Sequence, residues 1–339
     1  MKRFFAALAV MLPLVTPAAA QQDKVLNLYS ARHYDTDEAL YANFTKATGI
    51  RVNRIEAGDE ALLERLRNEG ANSPADVLLI VDASRLHAAD LAGLFAPVKS
   101  ALLDARIPAA LRSPGGTWFA FSSRARILVA DPAVPVADIQ DYLDLADGKN
   151  RGRVCTRPGS HPYMLSLIAS VIAHHGEARA EAWARATVAN MARPPRGGDT
   201  DQIRAVAAGE CAVALTNSYY LVRLMRSRKP EDRAVAEKVR VIWPDQAGHG
   251  THMNVSGGGV LRNAPNREAA VRFLEYLAGD EAQAYFANGN NEWPVVRTAI
   301  AKNPELESLG RFKSDTLSIQ EIAVRTPAAQ RIADRAGWR

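Results

Sequence analysis

Four tyrosines in this 339-residue chain stand in polar, turn-like or helix-start surroundings: Tyr34, Tyr163, Tyr219 and Tyr220. A free phenol ionises near pH ~10, so such a group has no acid–base use at neutral pH. A highly charged cation changes this, because a metal ion can deprotonate its own ligand. Phenolate oxygen is a hard anionic donor, and hard donors suit hard ions. The four tyrosines therefore predict a site for ferric iron.

The N-terminal residues have the pattern of a secretory signal peptide. Lys2 and Arg3 precede a short apolar run that ends at Ala18-Ala19-Ala20. The run is too short to cross ~30 Å of hydrocarbon, and its small-residue end is typical of a cleavage site. We predict a signal peptide over residues 1–20, cleavage near Ala20, and a periplasmic mature protein.

The composition argues against several classes of function. The formal net charge of +5 falls to +3 when Lys2 and Arg3 are removed (42 basic residues less these two, against 37 acidic). Basic and acidic residues are interspersed, so no stripe of bases and aromatics indicates a nucleic-acid partner. The chain lacks the Gly-x-Ser-x-Gly and His-Glu-x-x-His motifs of hydrolases. We predict a binding protein and not an enzyme.

The two cysteines, Cys155 and Cys211, each lie in a short apolar segment that precedes one of the tyrosine-containing segments. An even number of cysteines in an oxidising compartment favours a disulfide. Two buried free thiols are the alternative. A zinc site is not indicated, because no Cys-x-x-Cys spacing occurs.

The rest of the chain alternates apolar, strand-like runs with amphipathic helical segments, which predicts an α/β fold with a mostly parallel sheet. The length remaining after the signal peptide, about 319 residues, suggests two domains. No proline-rich linker separates two halves, so we expect the chain to cross between two lobes more than once. The glycine-rich segment 256–261 is interpreted as a turn into a strand, and the tail from about 298 as polar helix.

The predicted elements place all four tyrosines at comparable positions. Tyr34 follows the first strand, and Tyr163 and the Tyr219–Tyr220 pair follow two strands of the second half. In open α/β sheets, ligands bind beyond the carboxyl ends of the strands. We therefore expect the four side chains to face a cleft between two lobes.

Several segments resemble the periplasmic iron(III)-binding proteins of ABC importers, which are two-lobed substrate-binding proteins. The resemblance extends over residues 24–339 and is carried by these segments: 28–37 with Arg32-His33-Tyr34, 71–77, Asn217-Ser218-Tyr219-Tyr220, 250–257 and 312–315. It implies a type II-like periplasmic binding protein, in which each lobe is a mixed sheet flanked by helices. The implied N-terminal lobe is 24–125 plus 250–292, and the C-terminal lobe is 126–249 plus 293–339.

The resemblance also implies a set of site residues. The four tyrosines would coordinate the metal, with His33 as a candidate fifth ligand. Four phenolates on Fe³⁺ leave a charge of −1, which Arg32 and Arg223 are placed to offset. The sequence His161-Pro162-Tyr163 departs from the asparagine-flanked loop usual in that family, and proline restrains the backbone there.

The function implied is capture of Fe³⁺, free or as a small chelate, followed by hinge closure and delivery to an inner-membrane ABC permease. The protein is expected to be a monomer. Two details stay open at this point: binding of Fe²⁺, and completion of the shell by a synergistic anion such as carbonate. The alternative is a binding protein for a small organic anion or polyamine in the same cleft, and the two arginines favour the anion.

Overall fold

The computed structural model describes residues 24–32, 34, 36–299 and 302–339. The predicted signal peptide and the candidate ligand His33 lie outside these residues. The strands in the described part are β1 (Val25–Ser30), β2 (Arg51–Glu56), β3 (Val77–Val81), β4 (Phe119–Ala130), β5 (Val154–Cys155), β6 (Val213–Asn217), β7 (Arg240–Ile242), β8 (Met253–Val260) and β9 (Trp293–Pro294).

The helices alternate with the strands through most of the described chain. They are α1 (Asp37–Thr48), α2 (Asp59–Glu69), α3 (Ala83–Leu91), α4 (Ala101–Arg106), α5 (Pro162–His175), α6 (Glu177–Ala189), α7 (Asp199–Ala207), α8 (Ser218–Met225), α9 (Pro230–Glu237), α10 (Arg267–Leu277), α11 (Asp280–Asn288), α12 (Pro304–Ser308), α13 (Ile319–Ala323) and α14 (Thr326–Ala336). None of the helices in the described segments has the length and apolar character of a membrane-spanning helix.

The strands form two regions of mixed sheet joined through β4. In the first sheet, β1 lies between β2 and β3 and is parallel to both, and β8 is antiparallel to β3 and to the first half of β4. In the second sheet, β6 and β7 are antiparallel to the second half of β4, and β5 is parallel to β6. All five residues of β3 are buried, as expected for a strand covered on both faces.

The change of partner along β4 marks the crossing between the two sheets. Ala125 is the last β4 residue paired with β8, and Arg126 is the first paired with β6. Beside this point the Arg126 N–H donates to the carbonyl of His252, at 2.9 Å. The fold is thus the predicted two-lobed α/β architecture. The prediction of a mostly parallel sheet is wrong, because β8 and β4 pair antiparallel with their neighbours. The lobe boundaries themselves remain a prediction; β9, which the prediction gives to the C-terminal lobe, pairs with the first half of β4.

The prediction of a turn at the glycine-rich segment is wrong. Gly257, Gly258 and Gly259 lie within β8, between β3 and β4. A Cβ atom at any of them would overlap a backbone carbonyl oxygen of a neighbouring segment. Glycine is required here by the close approach of the backbones, which the sequence pattern does not distinguish from a turn.

The C-terminal tail is helical, but it is not the polar segment that the sequence pattern predicts. Helix α14 buries Ala329, Ile332 and Ala333 and packs on α5 and α6, because its apolar residues recur at helical spacing. Trp338 is also buried, and its indole N–H donates to the Thr156 hydroxyl at 2.9 Å. The tail therefore supports the loop that leads into α5.

Cys155 and Cys211 are joined by a disulfide, with their Cα atoms 5.9 Å apart. Cys155 ends β5, and Cys211 lies just before β6. The bridge ties together the two chain segments that lead to α5 and α8.

Candidate metal site

The structure brings the four predicted tyrosines together, and we call Tyr34, Tyr163, Tyr219 and Tyr220 the tyrosine cluster. Tyr34 lies between β1 and α1, whereas Tyr163 is the second residue of α5 and the pair occupies the second and third positions of α8. The hydroxyl oxygens of Tyr163 and Tyr219 are 3.4 Å apart. The Tyr34 ring meets the Tyr219 ring edge-on, with centroids 6.0 Å apart, and the Tyr219 and Tyr220 rings stack at 4.1 Å.

The start of α5 accommodates the unusual proline. Pro162 is at the first helical position, where its fixed φ and missing N–H cause no loss. His161 caps the helix, since its Nδ1 accepts the N–H of Tyr163 at 3.2 Å. The departure from the family's usual loop therefore does not move Tyr163 away from the tyrosine cluster.

Asp199 connects the two helix starts that carry the other tyrosines. This buried carboxylate accepts the N–H of Asn217, just before α8, at 2.8 Å. It also pairs with Arg126 and with Arg157, whose guanidinium lies 5.0 Å from the Tyr163 ring centroid. Burial opposes its charge, but Arg126, Arg157 and the Asn217 N–H together keep the pKa of Asp199 below its ordinary value.

The hydroxyls of Tyr34, Tyr163 and Tyr219 are protonated at neutral pH when no cation is bound. Burial, then the nearby carboxylate of Glu292, raise the pKa of Tyr34 well above its ordinary value. Burial and the neighbouring phenols Tyr163 and Tyr34 do the same to the pKa of Tyr219, and burial also raises the pKa of Tyr163. A phenol whose pKa rises by one becomes harder to ionise by about 1.4 kcal/mol. A cation that ionises these groups must interact with them strongly, which favours a trivalent metal ion.

Arg124 was missed by the sequence analysis and lies at the centre of the site. Its side chain is fully buried in the middle of β4, and its guanidinium is 5.2 Å from the Tyr163 ring centroid. Nη1 donates to the Ser256 hydroxyl at 2.8 Å, whereas Nε and Nη2 have no hydrogen-bond partner among the described residues. Burial opposes its charge, but Tyr163, Glu292 and Tyr219 raise the pKa of Arg124, so it remains a cation. Arg124 thus offers two unpaired N–H donor groups beside the tyrosines.

Glu292 is a second site residue that the sequence analysis missed. It is buried, and its Oε1 accepts a hydrogen bond from the Tyr34 hydroxyl at 3.2 Å. Its Oε2 accepts from the Ser122 hydroxyl at 2.8 Å and pairs with Arg32 at 3.4 Å. Arg124 lies 3.6 Å from Oε1. Glu292 therefore orients Tyr34 and links it to both buried arginines.

The two predicted arginines differ in their surroundings. Arg32 is buried, pairs with Asp37 at 2.7 Å as well as with Glu292, and lies 4.7 Å from the Tyr34 ring centroid. Its charge is thus already compensated by carboxylates. Arg223 is exposed, and its guanidinium lies 5.1 Å from the Tyr220 ring centroid and 5.6 Å from that of Tyr219.

The ion pairs beside the tyrosine cluster form a network with one surplus positive charge, before the exposed Arg223 and the buried carboxylate of Asp82, which lies outside these ion pairs, are counted. Four largely buried arginines face three buried carboxylates: Arg32, Arg124, Arg126 and Arg157 against Asp37, Asp199 and Glu292. A ferric ion with four phenolates carries −1. The charge of this ion-paired network is therefore complementary to that of the complex.

A cavity of about 560 Å³ opens beside the tyrosine cluster. It is lined by Ala31 and Val81 from the first sheet's side, and by Tyr163 and Tyr220 from the second sheet's side. The polar part of its wall comprises Arg85, Arg157 and His161 together with the acidic residues Asp59 and Glu60, and Arg85 pairs with Glu60 at 2.6 Å. The volume is in the range of pockets that hold small organic molecules.

A two-lobed α/β fold with a polar cleft between the lobes defines a solute-binding protein. The chain belongs to the bacterial extracellular solute-binding proteins, whose family model matches residues 39–314. It is 49% identical to the iron uptake protein A2 of Synechocystis over 94% of this chain and 92% of that protein.

Two solved structures are similar to this fold along their whole length. The FutA (IdiA) protein of Trichodesmium, in complex with iron and citrate, is 51% identical with a TM-score of 0.89, covering 93% of this chain and 100% of that one. The ferric binding protein of Campylobacter jejuni is 37% identical with a TM-score of 0.89, covering 93% of this chain and 100% of that one.

Proposed function

We propose that this protein binds Fe³⁺ in the cleft through the four phenolates of the tyrosine cluster and delivers it to an ABC permease in the inner membrane. The observation that carries the proposal is the convergence of four tyrosines around Arg124, a buried cation with unpaired N–H donors. The similarity to an iron uptake protein and to iron- and ferric-binding structures supports it. Its role is binding and transfer, as a monomer, and not catalysis.

We place the mature protein in the periplasm, after removal of residues 1–20 by cleavage near Ala20. The N-terminal pattern of Lys2-Arg3, a short apolar run and Ala18-Ala19-Ala20 supports export. Membership of a family of extracellular binding proteins supports it independently.

Fe³⁺ is the preferred oxidation state in this proposal. The raised pKa values of Tyr34 and Tyr219 require a strong attraction between metal and phenolate, and this attraction falls with the charge of the ion. Fe²⁺ therefore binds more weakly. His33, between Arg32 and Tyr34 in sequence, remains the candidate fifth ligand.

An anion completes the site in this proposal. Arg124 supplies the unpaired donors, Arg223 adds an exposed charge, and carbonate or a carboxylate of a small chelator has the matching charge. The volume of the adjoining cavity leaves room for a chelate as an additional form of the cargo, and the Trichodesmium relative was solved in complex with iron and citrate. The alternative cargo is a small organic anion or polyamine without metal in the same cleft, and the exposed charge of Arg223 favours the anion.

The test is a visible absorption titration of chelator-stripped protein with ferric citrate, in parallel with sodium citrate alone. Phenolate bound to Fe³⁺ gives a charge-transfer colour that imidazole or carboxylate ligands do not reproduce. The proposal predicts a saturable colour at one iron per chain, which disappears in the double variant Tyr219→Phe/Tyr220→Phe. Heat of binding with citrate alone and no colour with iron would favour the organic-anion alternative.

A matched control is Tyr276→Phe. The Tyr276 hydroxyl donates to the Leu40 carbonyl at 3.2 Å, within the first sheet's side of the molecule. Its removal also deletes one phenol oxygen, but outside the tyrosine cluster. This variant should keep the full colour.

A further inference from the structure

Asp82 is a buried carboxylate whose contacts have no part in the site described above. It follows β3 and has a φ of 90°, which is rare for a residue other than glycine. Its oxygens accept hydrogen bonds from the Ser84 N–H at 2.8 Å, the Ser84 hydroxyl at 2.6 Å and the Asn254 amide at 2.6 Å. The Ser166 hydroxyl donates to it as well, at 2.8 and 2.9 Å. Such strain persists only where the surroundings hold it, and it is common at functional positions.

The donors to Asp82 come from three different elements. Ser84 is in α3, on the side of the first sheet, and Asn254 is in β8, paired with Arg124 beside the crossing of the lobes. Ser166 belongs to α5, the helix whose second residue is Tyr163. The bond from Ser166 therefore connects a tyrosine-bearing helix to the segment after β3 in the opposite lobe and, through Asn254, to β8.

These hydrogen bonds are strong because they compensate a buried charge. No Lys, Arg or His of the described residues forms an ion pair with Asp82. Hydrogen bonds to an ionised group are about twice as strong as those between neutral groups. Removing a donor also leaves part of a buried carboxylate unsatisfied.

Ser166 lies on the same face of α5 as Tyr163. Residues three and four apart share a helix face, and the row Tyr163, Ser166, Ser170 and His174 follows this spacing. Ser170 and His174 contact Asp315, at 3.3 and 2.8 Å. The later turns of α5 are thus held by Asp315, and its first turns by Asp82.

The first turn of a helix needs such support more than the later turns do. Its N–H groups have no partner inside the helix, so its direction is fixed by the cap from His161 and by the contact of Ser166 in the following turn. Tyr163 lies in this turn, where its hydroxyl is 3.4 Å from that of Tyr219. A small change in the direction of the turn would change this distance.

We propose that Asp82 is a positioning residue for iron retention: through Ser166 it fixes the first turn of α5 and so keeps Tyr163 beside Tyr219 in the closed cleft. The proposal rests on the proposed function, because it takes Tyr163 as an iron ligand. Asp82 also caps α3, so its substitution would disturb a second element. Ser166, which donates directly to Asp82, is therefore the better residue to substitute.

The experiment compares Ser166→Ala with two controls in full-length mature protein. Ser84→Ala removes a donor to the same carboxylate without touching α5, and Ser170→Ala removes a hydroxyl one turn further along α5. Iron release to an excess of chelator and the charge-transfer maximum are measured for each. We expect release from Ser166→Ala to be about tenfold faster, the scale of one hydrogen bond to a charged group, with a shifted maximum. The iron release rates of both controls should stay within about twofold of the wild-type rate.

A second readout uses the metal-free protein. Amide hydrogen exchange of residues 162–166 should be faster in Ser166→Ala than in wild type, and unchanged in Ser170→Ala. Asp82→Asn, which keeps the size of the side chain, should show the same two effects. A lowered melting temperature with unchanged release and unchanged exchange would overturn the positioning role and leave Asp82 as part of the core.

Different results would contradict the proposed function and the positioning role of Asp82. If wild-type protein shows no ferric colour, the proposed function is wrong, and the role of Asp82 in iron retention is wrong with it. If wild-type and Ser166→Ala proteins are coloured and release iron at the same rate, only the role of Asp82 is wrong.

Discussion

The two sides of the cleft hold their tyrosines by different means. The side of the second sheet presents Tyr163, Tyr219 and Tyr220 from two helix starts, and its contacts among them are a 3.4 Å hydroxyl pair and a stacked ring pair. The side of the first sheet presents Tyr34 alone, from a loop, oriented by Glu292. Three phenols are therefore assembled within one part of the molecule, and one is added across the cleft. Under the proposed function, this division predicts that capture of the metal is separate from its enclosure.

The largest expected effect is on the assembled side. Tyr219→Phe removes the central phenol, which contacts both Tyr163 and Tyr34. Loss of a ligand should cost at least the 10–100-fold that residues supporting metal ligands typically cost, so we expect about 100-fold or more weaker ferric binding. Competition with citrate, followed by visible absorption, measures this. A colour and affinity equal to wild type would show that the phenol is not a ligand.

Removal of the Tyr34 hydroxyl, on the opposite side of the cleft, should have a smaller effect on ferric binding, and it should act on a different rate. Tyr34→Phe keeps the three phenols of the second sheet's side. We therefore expect iron to bind at a similar rate but to leave faster, by about tenfold, because closure adds no fourth phenolate. Stopped-flow association and release rates of this variant and Tyr219→Phe test the division. If the association rates of Tyr34→Phe and Tyr219→Phe fell equally, the division between capture and enclosure would be contradicted.

Substitution of Arg124 should weaken iron binding by the tyrosines of both sides of the cleft equally. Arg124 lies near Tyr163 and is linked to Tyr34 through Glu292. Arg124→Met keeps much of the buried volume and removes the cation. The phenolates then lose a favourable charge, so ferric binding should weaken and should require a higher pH. Titrations at several pH values measure the shift. An unchanged pH dependence would mean that the arginine does not compensate the phenolates.

The raised pKa values of the tyrosines give a pH prediction that distinguishes metal-free from iron-loaded protein. A buried phenol with a raised pKa keeps its proton when the unfolded chain has lost it, so metal-free protein should lose stability above pH ~10. In the iron-loaded protein the phenols are already ionised by the metal, and the loss should be smaller. Thermal unfolding between about pH 8 and 11, on either side of the ordinary phenol pKa, measures the difference between the two forms. Parallel curves would contradict metal binding by these phenols.

The smallest effect is expected at Arg223. It is exposed and lies over the rings of Tyr219 and Tyr220, and exposed charge interactions contribute little. Arg223→Gln should change ferric affinity by about threefold or less in the absence of an added anion. A larger change only in the presence of bicarbonate or citrate would assign it to the anion.

Sequence reasoning reached the tyrosines because it could use both chemistry and position. Phenols after predicted strands define a type of ligand and a place in an α/β fold, and the four residues do converge. It did not reach Glu292, because the contact with Tyr34 joins residues 258 positions apart and nothing near Glu292 signals it. Arg124 left a visible signal, since it lies with Ser122, Ser123 and Arg126 in the polar middle of β4, but the pattern alone presents this segment only as a polar interruption.

For the fold, too, the sequence predicted the class and several elements but not the features that depend on distant contacts. Alternating strands and helices gave the α/β class, and β3 has the continuous burial that its sequence suggested. The glycines of β8 and the tail α14 were misjudged, because their roles depend on what packs against them. Close approach by Phe119 and Leu78, and the surfaces of α5 and α6, lie far from these segments in sequence.

The most direct test of the central claim is an anomalous difference map from crystals of the ferric-loaded protein, collected at the iron absorption edge. The account predicts one peak within bonding distance of the phenolate oxygens of Tyr34, Tyr163, Tyr219 and Tyr220, with the guanidinium of Arg124 nearby but not bonded to it. A peak held by carboxylate or imidazole groups elsewhere, or a loaded protein with no peak in the cleft, would contradict it.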